Sequence, residues 1–418
     1  MARLWNAGFE SGAFDEISTS ATAGTATSAV DTATVRSGLY SAKFTTTVGT
    51  YLRRVYLTSG TNTTVVYARA FIRISTAPDA TIGVMHFLTS GNAIVAGILL
   101  TSASKLQLIG ADGAQIGADS AALSVNTWYR VELKADCSTN PDSLDARLNG
   151  SSFASGNSSG NIAWQRFQFG MITTNSTGVL YFDDLAVNDG TGTNNTSWCG
   201  DGKIVAMNPN LAGDANTFLK YGGGAGDADN YALVNEIPPV TTNSYVNGSA
   251  LNAEDMYNVS QPLNIRNLET INCVTVGGYK GNVGTADATT AIKWQIKKAS
   301  GGTVLQSAAV IPNSTSVAYR DSPGAASTLT NVIAGVDPDG AAWTLATLKT
   351  TQIGAKITAF GTYGIAMSKI YANVEYVPRA SLIKSVGDVF LGDLTKVAGK
   401  SDTGAAGGIK VIAGVTNT

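Results

Sequence analysis

The sequence predicts an all-β protein, and three observations carry that prediction. Charged residues make up only 14% of the 418, well under the roughly one quarter usual in globular chains. Small turn-forming residues fill the gap, 46 of them glycine, and they make poor surfaces for free-standing helices. Apolar residues still reach 44%, enough to bury real cores, and in the clearest runs they recur with a period of two. A chain this long exceeds one ordinary sandwich, so we expect two sandwich-sized units and a short extra segment.

The first unit is expected over residues 1–189. In Val65–Ser75, Val66, Ala68, Ala70, Ile72 and Ile74 share one face, with Tyr67, Arg69 and Arg73 on the other. That contrast marks a half-buried antiparallel strand. Trp128–Ala135 repeats it, setting Tyr129, Val131 and Leu133 against Arg130, Glu132 and Lys134. Gln165, Phe167, Phe169 and Met171 then oppose Trp164, Arg166 and Gln168, and Gly178–Val187 closes the unit. Asn188–Asn195 has no apolar residue and reads as a linker, at which the two units should be separable.

The second unit, residues 190–378, is expected to be another β-sandwich, a jelly roll or immunoglobulin-like. Its strand-like runs are Lys203–Met207, Tyr231–Val234, Thr270–Val276, Ala291–Lys298, Thr344–Thr347, Ile353–Ala359 and Lys369–Val377. Asn208–Asp229 and Tyr319–Ala341 read as long Gly/Asp-rich loops. After Pro378, Leu382, Val386, Phe390 and Leu394 follow helical spacing, against which Gly387 and Gly392 count. This segment, residues 379–418, is too short to own a core. Leu382, Val386, Phe390 and Leu394 are the expected interaction surface, for attachment or for oligomer formation; folding back onto the second unit is the alternative.

Charge and cysteine usage exclude several classes. The net charge is −2, from 28 basic and 30 acidic residues, with no basic stripe for nucleic acid and no pull toward anionic lipid. No run approaches the roughly 18 apolar residues of a membrane span, so no membrane insertion is expected. Cys137, Cys199 and Cys273 are odd in number and widely spaced, which is neither a disulfide framework nor a zinc pattern. They read as buried thiols of a chain made in a reducing cytoplasm. The N-terminal Met-Ala-Arg-Leu-Trp runs into polar sequence without an apolar signal region.

Candidate chemistry is sparse. His86, the single histidine, stands among apolar neighbours and reads as a satisfied structural residue. No Gly-x-Ser-x-Gly run reads as a strand-to-helix nucleophile elbow, and no phosphate-binding Gly-x-x-x-x-Gly-Lys loop is present. Asp183 and Asp184 are adjacent, so in a regular strand they point to opposite faces and cannot flank one glycosidic bond. Asp183–Asp184 and Asp227–Asp229 are conceivable calcium sites, but neither supplies enough ligands, and turn-forming aspartates are the simpler reading. No catalytic residue, metal or cofactor is expected.

Four phrases carry a resemblance: Gly8-Phe9-Glu10, Val35 to Phe44, Thr127 to Leu133 and Tyr181 to Val187. In this order they resemble the concanavalin A-like lectin/glucanase (laminin G-like) sandwich, which implies a jelly roll over most of residues 1–190. The Glu-x-Asp-x-x-Glu strand motif of that fold's enzymes is missing here, which favours binding over hydrolysis. Ser197 to Asn210, Asp214 to Phe218, Asn230 to Pro239 and Ile370 to Tyr376 are similar to tailed-bacteriophage virion proteins of the minor tail or particle-decorating type. That resemblance implies a non-enzymatic accessory protein exposed on the virion, assembled in the host cytoplasm beside other virion proteins. A minor tail protein contacting host-surface carbohydrate is the expected role; a capsid-decoration protein and a polysaccharide-degrading tail enzyme are the alternatives. By analogy with fibre-like phage parts, a homo-oligomer, specifically a trimer, is expected.

Overall fold

A computed structural model describes residues 3–14, 16–47, 49–57, 62–172, 176–221, 229–240, 243–262, 265, 269–312 and 331–378, with a short strand pair at 396–397 and 400–401. Leu382, Val386, Phe390 and Leu394 lie outside the described residues. The protein is all-β: the described strands form two β-sandwiches, and every strand pairing is antiparallel.

The first sandwich has a seven-stranded and an eight-stranded sheet. In the eight-stranded sheet, Val65–Thr76 and Gly178–Asp189 lie side by side at the centre. Trp128–Asp136, Ser143–Leu148 and Ser151–Asn157 extend it on one side, Ser41–Thr46 and Thr27–Asp31 on the other. Arg3–Ala7 pairs with the second half of Gly178–Asp189. In the facing sheet the order is Gln115–Ile116, Leu106–Ile109, Ile94–Leu100, Ile82–Leu88, Arg166–Ile172, Gly49–Tyr56 and Thr19–Gly24. Successive strands repeatedly switch sheets, the jelly-roll arrangement.

Alternation decides which residues fill the space between these sheets. Val66, Ala68, Ala70, Ile72 and Ile74 are all buried there, as are Val131 and Leu133. Trp5, Phe9, Phe44, Phe167, Phe169 and Phe182 form the aromatic centre, with ring centroids 5.3–6.3 Å apart. Such tilted and edge-on pairs add to the burial of the rings themselves.

The second sandwich packs a six-stranded sheet, centred on Ile365–Val377 and Thr270–Asn282, against a five-stranded one. The latter runs Pro209–Asn216, Glu254–Val259, Gln352–Ala359, Ala291–Lys297 and Val304–Gln306. Trp294, Tyr257 and Phe218 are fully buried in its core.

Five sequence readings are corrected. Tyr231–Val234 is not a strand: Asn230–Leu233 forms a 3-10 turn. Thr344–Thr347 opens the helix Leu345–Thr350, because Thr344 and Thr347 cap each other's backbone reciprocally. Part of the Asn208–Asp229 loop is the strand Pro209–Asn216, whose polar sequence pairs at the sheet edge. The linker begins later than Asn188: Asn188 and Asp189 are buried strand residues, and Asn188 Nδ2 donates to the Ser197 carbonyl. Of the Tyr319–Ala341 loop, the described part includes the strand Val332–Ala334.

Candidate functional site

The polar face of Val65–Thr76, expected in solvent, is partly sealed by the second sandwich. At the seam Glu375, on Ile365–Val377, is fully buried between Arg3 and Arg69 of the first sandwich. Arg3 grips the carboxylate with both terminal nitrogens, at 2.9 and 3.0 Å, and Arg69 Nη1 donates to Oε1 at 2.9 Å. Burial opposes the charge on Glu375, but the two guanidiniums hold the carboxyl below its ordinary range. Arg69 Nε also donates to the Asp184 carbonyl and Nη1 to the carbonyls of Cys199 and Gly200. Asn373 donates to Glu16, and Asn6 to the Cys273 sulfur. Cys137, Cys199 and Cys273 are all free and buried, and burial pushes their thiols up to about 12, 11 and 12.

Beside this triad lies the aspartate pair. A β-bulge falls between Asp183 and Ala186, and Asp184 adopts a left-handed backbone with φ of 50°. That turn brings both side chains to one loop, which corrects the expectation of opposite faces. Asp183 Oδ2 accepts from the Arg36 and Ser37 backbone, while Asp184 Oδ1 accepts from Ser37 Oγ and from the Ile204 backbone. The Arg36 guanidinium pairs with Asp184 and with Asp201, so Asp184 already has a cation of the protein's own. Among the described residues no group of three or more His, Cys, Asp or Glu is placed to hold a metal ion. Burial and the adjacent Asp184 hold Asp183 well above the usual carboxylate range.

Glu10 completes this region. Its two oxygens accept from the backbone of Leu39 and Tyr40 at 3.0–3.2 Å, and Gly38 presses against the carboxyl. Burial pushes Glu10 up to about 8, with Asp184 adding to it against the two backbone donors. Glu10 also lines a cavity of about 190 Å³ at the seam, with Leu39, Val205, Asn208 and Ile237 around it. A volume of that size suits a few waters or a small group rather than a sugar chain.

A second constellation stands on the outer face of the seven-stranded sheet. Arg54, Gln168 and His86 occupy neighbouring register positions on three adjacent strands. Arg54 donates to Gln168 Oε1 through Nε at 3.2 Å and Nη2 at 2.6 Å, and Gln168 Nε2 faces His86 Nδ1 at 3.5 Å. His86 is buried, and its Nε2 has no hydrogen-bond partner, so the residue is not satisfied as expected. Glycines make the room: a Cβ at either Gly83 or Gly97 would stand 2.6 Å from the ring. Burial pushes His86 down to about 4. It is therefore neutral near pH 7, and with Nδ1 accepting from Gln168 its proton sits on Nε2. A base so far below neutral is a weak proton acceptor, whereas a neutral N–H remains a competent donor to a bound oxygen.

The sequence singled out His86, Asp183 and Asp184, but gave no sign of their partners. Arg69, Glu375, Arg54 and Gln168 each looked like ordinary solvent-side residues of alternating strands. Asp229 pairs with Lys220 at the surface; Asp227 lies outside the described residues.

No family model and no curated protein matches the chain. Among solved structures it is similar over 47% of its length to the cellulose-induced protein Cip1, 98% of which is covered, at 18% identity and a TM-score of 0.36. An endo-β-1,4-glucuronan lyase from the fungus Trichoderma reesei matches 44% of the chain and 95% of its own length, at 13% identity and a TM-score of 0.35. A Trypanosoma rangeli sialidase matches 38% of the chain but 27% of its own length, at 13% identity and a TM-score of 0.29. All three scores are below 0.5, a partial likeness.

Proposed function

We propose that this chain is a non-catalytic structural and binding protein, an exposed accessory of a bacteriophage particle that contacts host-surface glycans. The observation that carries the non-catalytic part is the commitment of the buried carboxylates. Asp183, Asp184 and Glu375 are each occupied by backbone donors or arginines, and Glu10 faces only a small cavity. None is left as an acid and base pair across an open cleft, which glycoside hydrolysis needs. The seam supports a structural role, since it fixes two sandwiches as one body with shared buried charges. The assignment to a phage particle, as a minor tail protein, rests on the sequence resemblance over residues 1 to about 377. Locating the protein by labelled antibody on purified particles tests it: label on the tail supports the reading, label on the head favours capsid decoration, and unlabelled particles sink both.

One observation favours a polysaccharide-degrading enzyme instead. The Arg54–Gln168–His86 row keeps a polar nitrogen buried and unpartnered, a cost of about 1–3 kcal/mol that a bound substrate would relieve. Release of new sugar ends from host envelope glycans, abolished by His86→Ala, would establish that second reading and overturn the first.

A further inference from the structure

The outer face of the eight-stranded sheet is used only in part by the second sandwich. The seam occupies the rows of Arg69 and Asp183. One row further along, Lys43, Tyr181, Arg73 and Trp128 stand in register on four adjacent strands. Lys43 Nζ and the Arg73 guanidinium reach the Tyr181 ring from the two neighbouring strands, 5.7 and 5.6 Å from its centroid. Lys43, Arg73 and Trp128 are half-buried, and Ala29, which continues the row beyond Lys43, is exposed. No carboxylate stands in the row, and among the described residues neither cation has a carboxylate partner.

From this arrangement we infer that the row is a docking site for an acidic polysaccharide chain. The inference deepens the glycan-contact part of the proposed function and rests on it. Two neighbouring cations without counter-charges, in a row that holds no carboxylate, complement an anionic partner. The tyrosine ring holds both cations against the sheet, which lowers the entropy lost when an anion binds. Four strands at about 4.8 Å spacing make the row roughly 14 Å long, an extended site suited to a chain rather than a single ion. The half-buried Trp128 stands at one end, an aromatic of the kind that stacks on sugar rings. Nucleic acid fits less well, because two cations neutralise too few phosphates. A protein partner would need an apolar patch, and the next row holds Thr27, Thr45 and Thr76 with Val179.

Affinity electrophoresis of the full chain through polygalacturonate, neutral dextran and a single-stranded oligonucleotide tests the site. Polygalacturonate should retard the protein, dextran should not, and added salt should weaken the effect. The double substitution Lys43→Gln and Arg73→Gln should weaken retardation about tenfold while melting as the wild type does. No retardation, equal retardation by dextran, stronger retention by the oligonucleotide or an unaffected double variant would each overturn the inference. Cleavage of polygalacturonate that His86→Ala abolishes would instead overturn the non-catalytic reading and leave the row standing.

Discussion

Two buried polar constellations in this molecule differ in what buries them. The Arg3–Glu375–Arg69 triad is sealed only because the second sandwich docks on the first. Arg54, Gln168, His86 and the glycines that cradle the ring all belong to the first sandwich. In the triad opposite charges meet, which is how a docking surface keeps ionised groups out of water. In the row a neutral ring keeps one nitrogen without a partner, which docking neither creates nor relieves. Burial alone therefore says little about function; what matters is whether the buried group has been answered.

The largest effect should come from breaking the triad. Glu375→Ala leaves two guanidiniums buried without their anion and should cost about 3–5 kcal/mol in urea unfolding. A loss under about 1 kcal/mol would mean that water already reaches the seam, and the contrast would collapse.

Titration sharpens the comparison further, because Glu10 and His86 act in opposite directions. The unfolded chain ionises Glu10 near 4.5 but the folded chain holds the proton to about 8, so stability falls as pH rises between them. His86 takes a proton near 6.5 when unfolded and near 4 when folded, so stability falls as pH drops through that window. Glu10→Gln should abolish the loss between pH 4.5 and 8, worth about 4 kcal/mol by pH 8, and leave the His86 contribution unchanged. Unfolding free energies measured across pH check this; an unchanged loss between pH 4.5 and 8 would remove Glu10 as its source.

A smaller effect is expected at the histidine cradle. Gly97→Ala should cost about 1–3 kcal/mol, because its Cβ would meet the His86 ring at 2.6 Å. In a His86→Ala background the same change should cost clearly less, leaving only the 3.0 Å approach to Ile109, and persistence of the full cost would disprove the steric account. The smallest effect concerns the linker. Residues 190–194 are exposed apart from their flanks, so limited proteolysis should cut there. The two fragments should still co-elute on gel filtration, held by the seam, and separate only when Glu375→Ala is added. Wild-type fragments that part on nicking would restore the picture of two independent units.

How much of this was legible follows from residue patterns. Alternation in Val65–Ser75 and Trp128–Ala135 identified strands and their core faces, because side-chain direction in a strand depends only on parity. Parity failed at Asp183–Asp184, where a bulge that leaves no mark in the residue types turned both carboxyls to one loop. At Arg69 parity holds but does not suffice: the residue lies on the polar face, where a second sandwich replaces the solvent. Tyr231–Val234 and Thr344–Thr347 were too short for a period to decide between strand and turn.

By itself the sequence determined an all-β chain with two cores, since apolar periodicity and turn residues are local properties that each segment carries alone. Tertiary structure alone decided which polar residues are buried and with whom. Arg3, Arg69 and Glu375 are up to 372 positions apart, and Arg54, Gln168 and His86 are joined only through sheet register. Their meeting depends on strand order and on the docking of two sheets, and a residue's desolvation is set by those neighbours rather than by its own type.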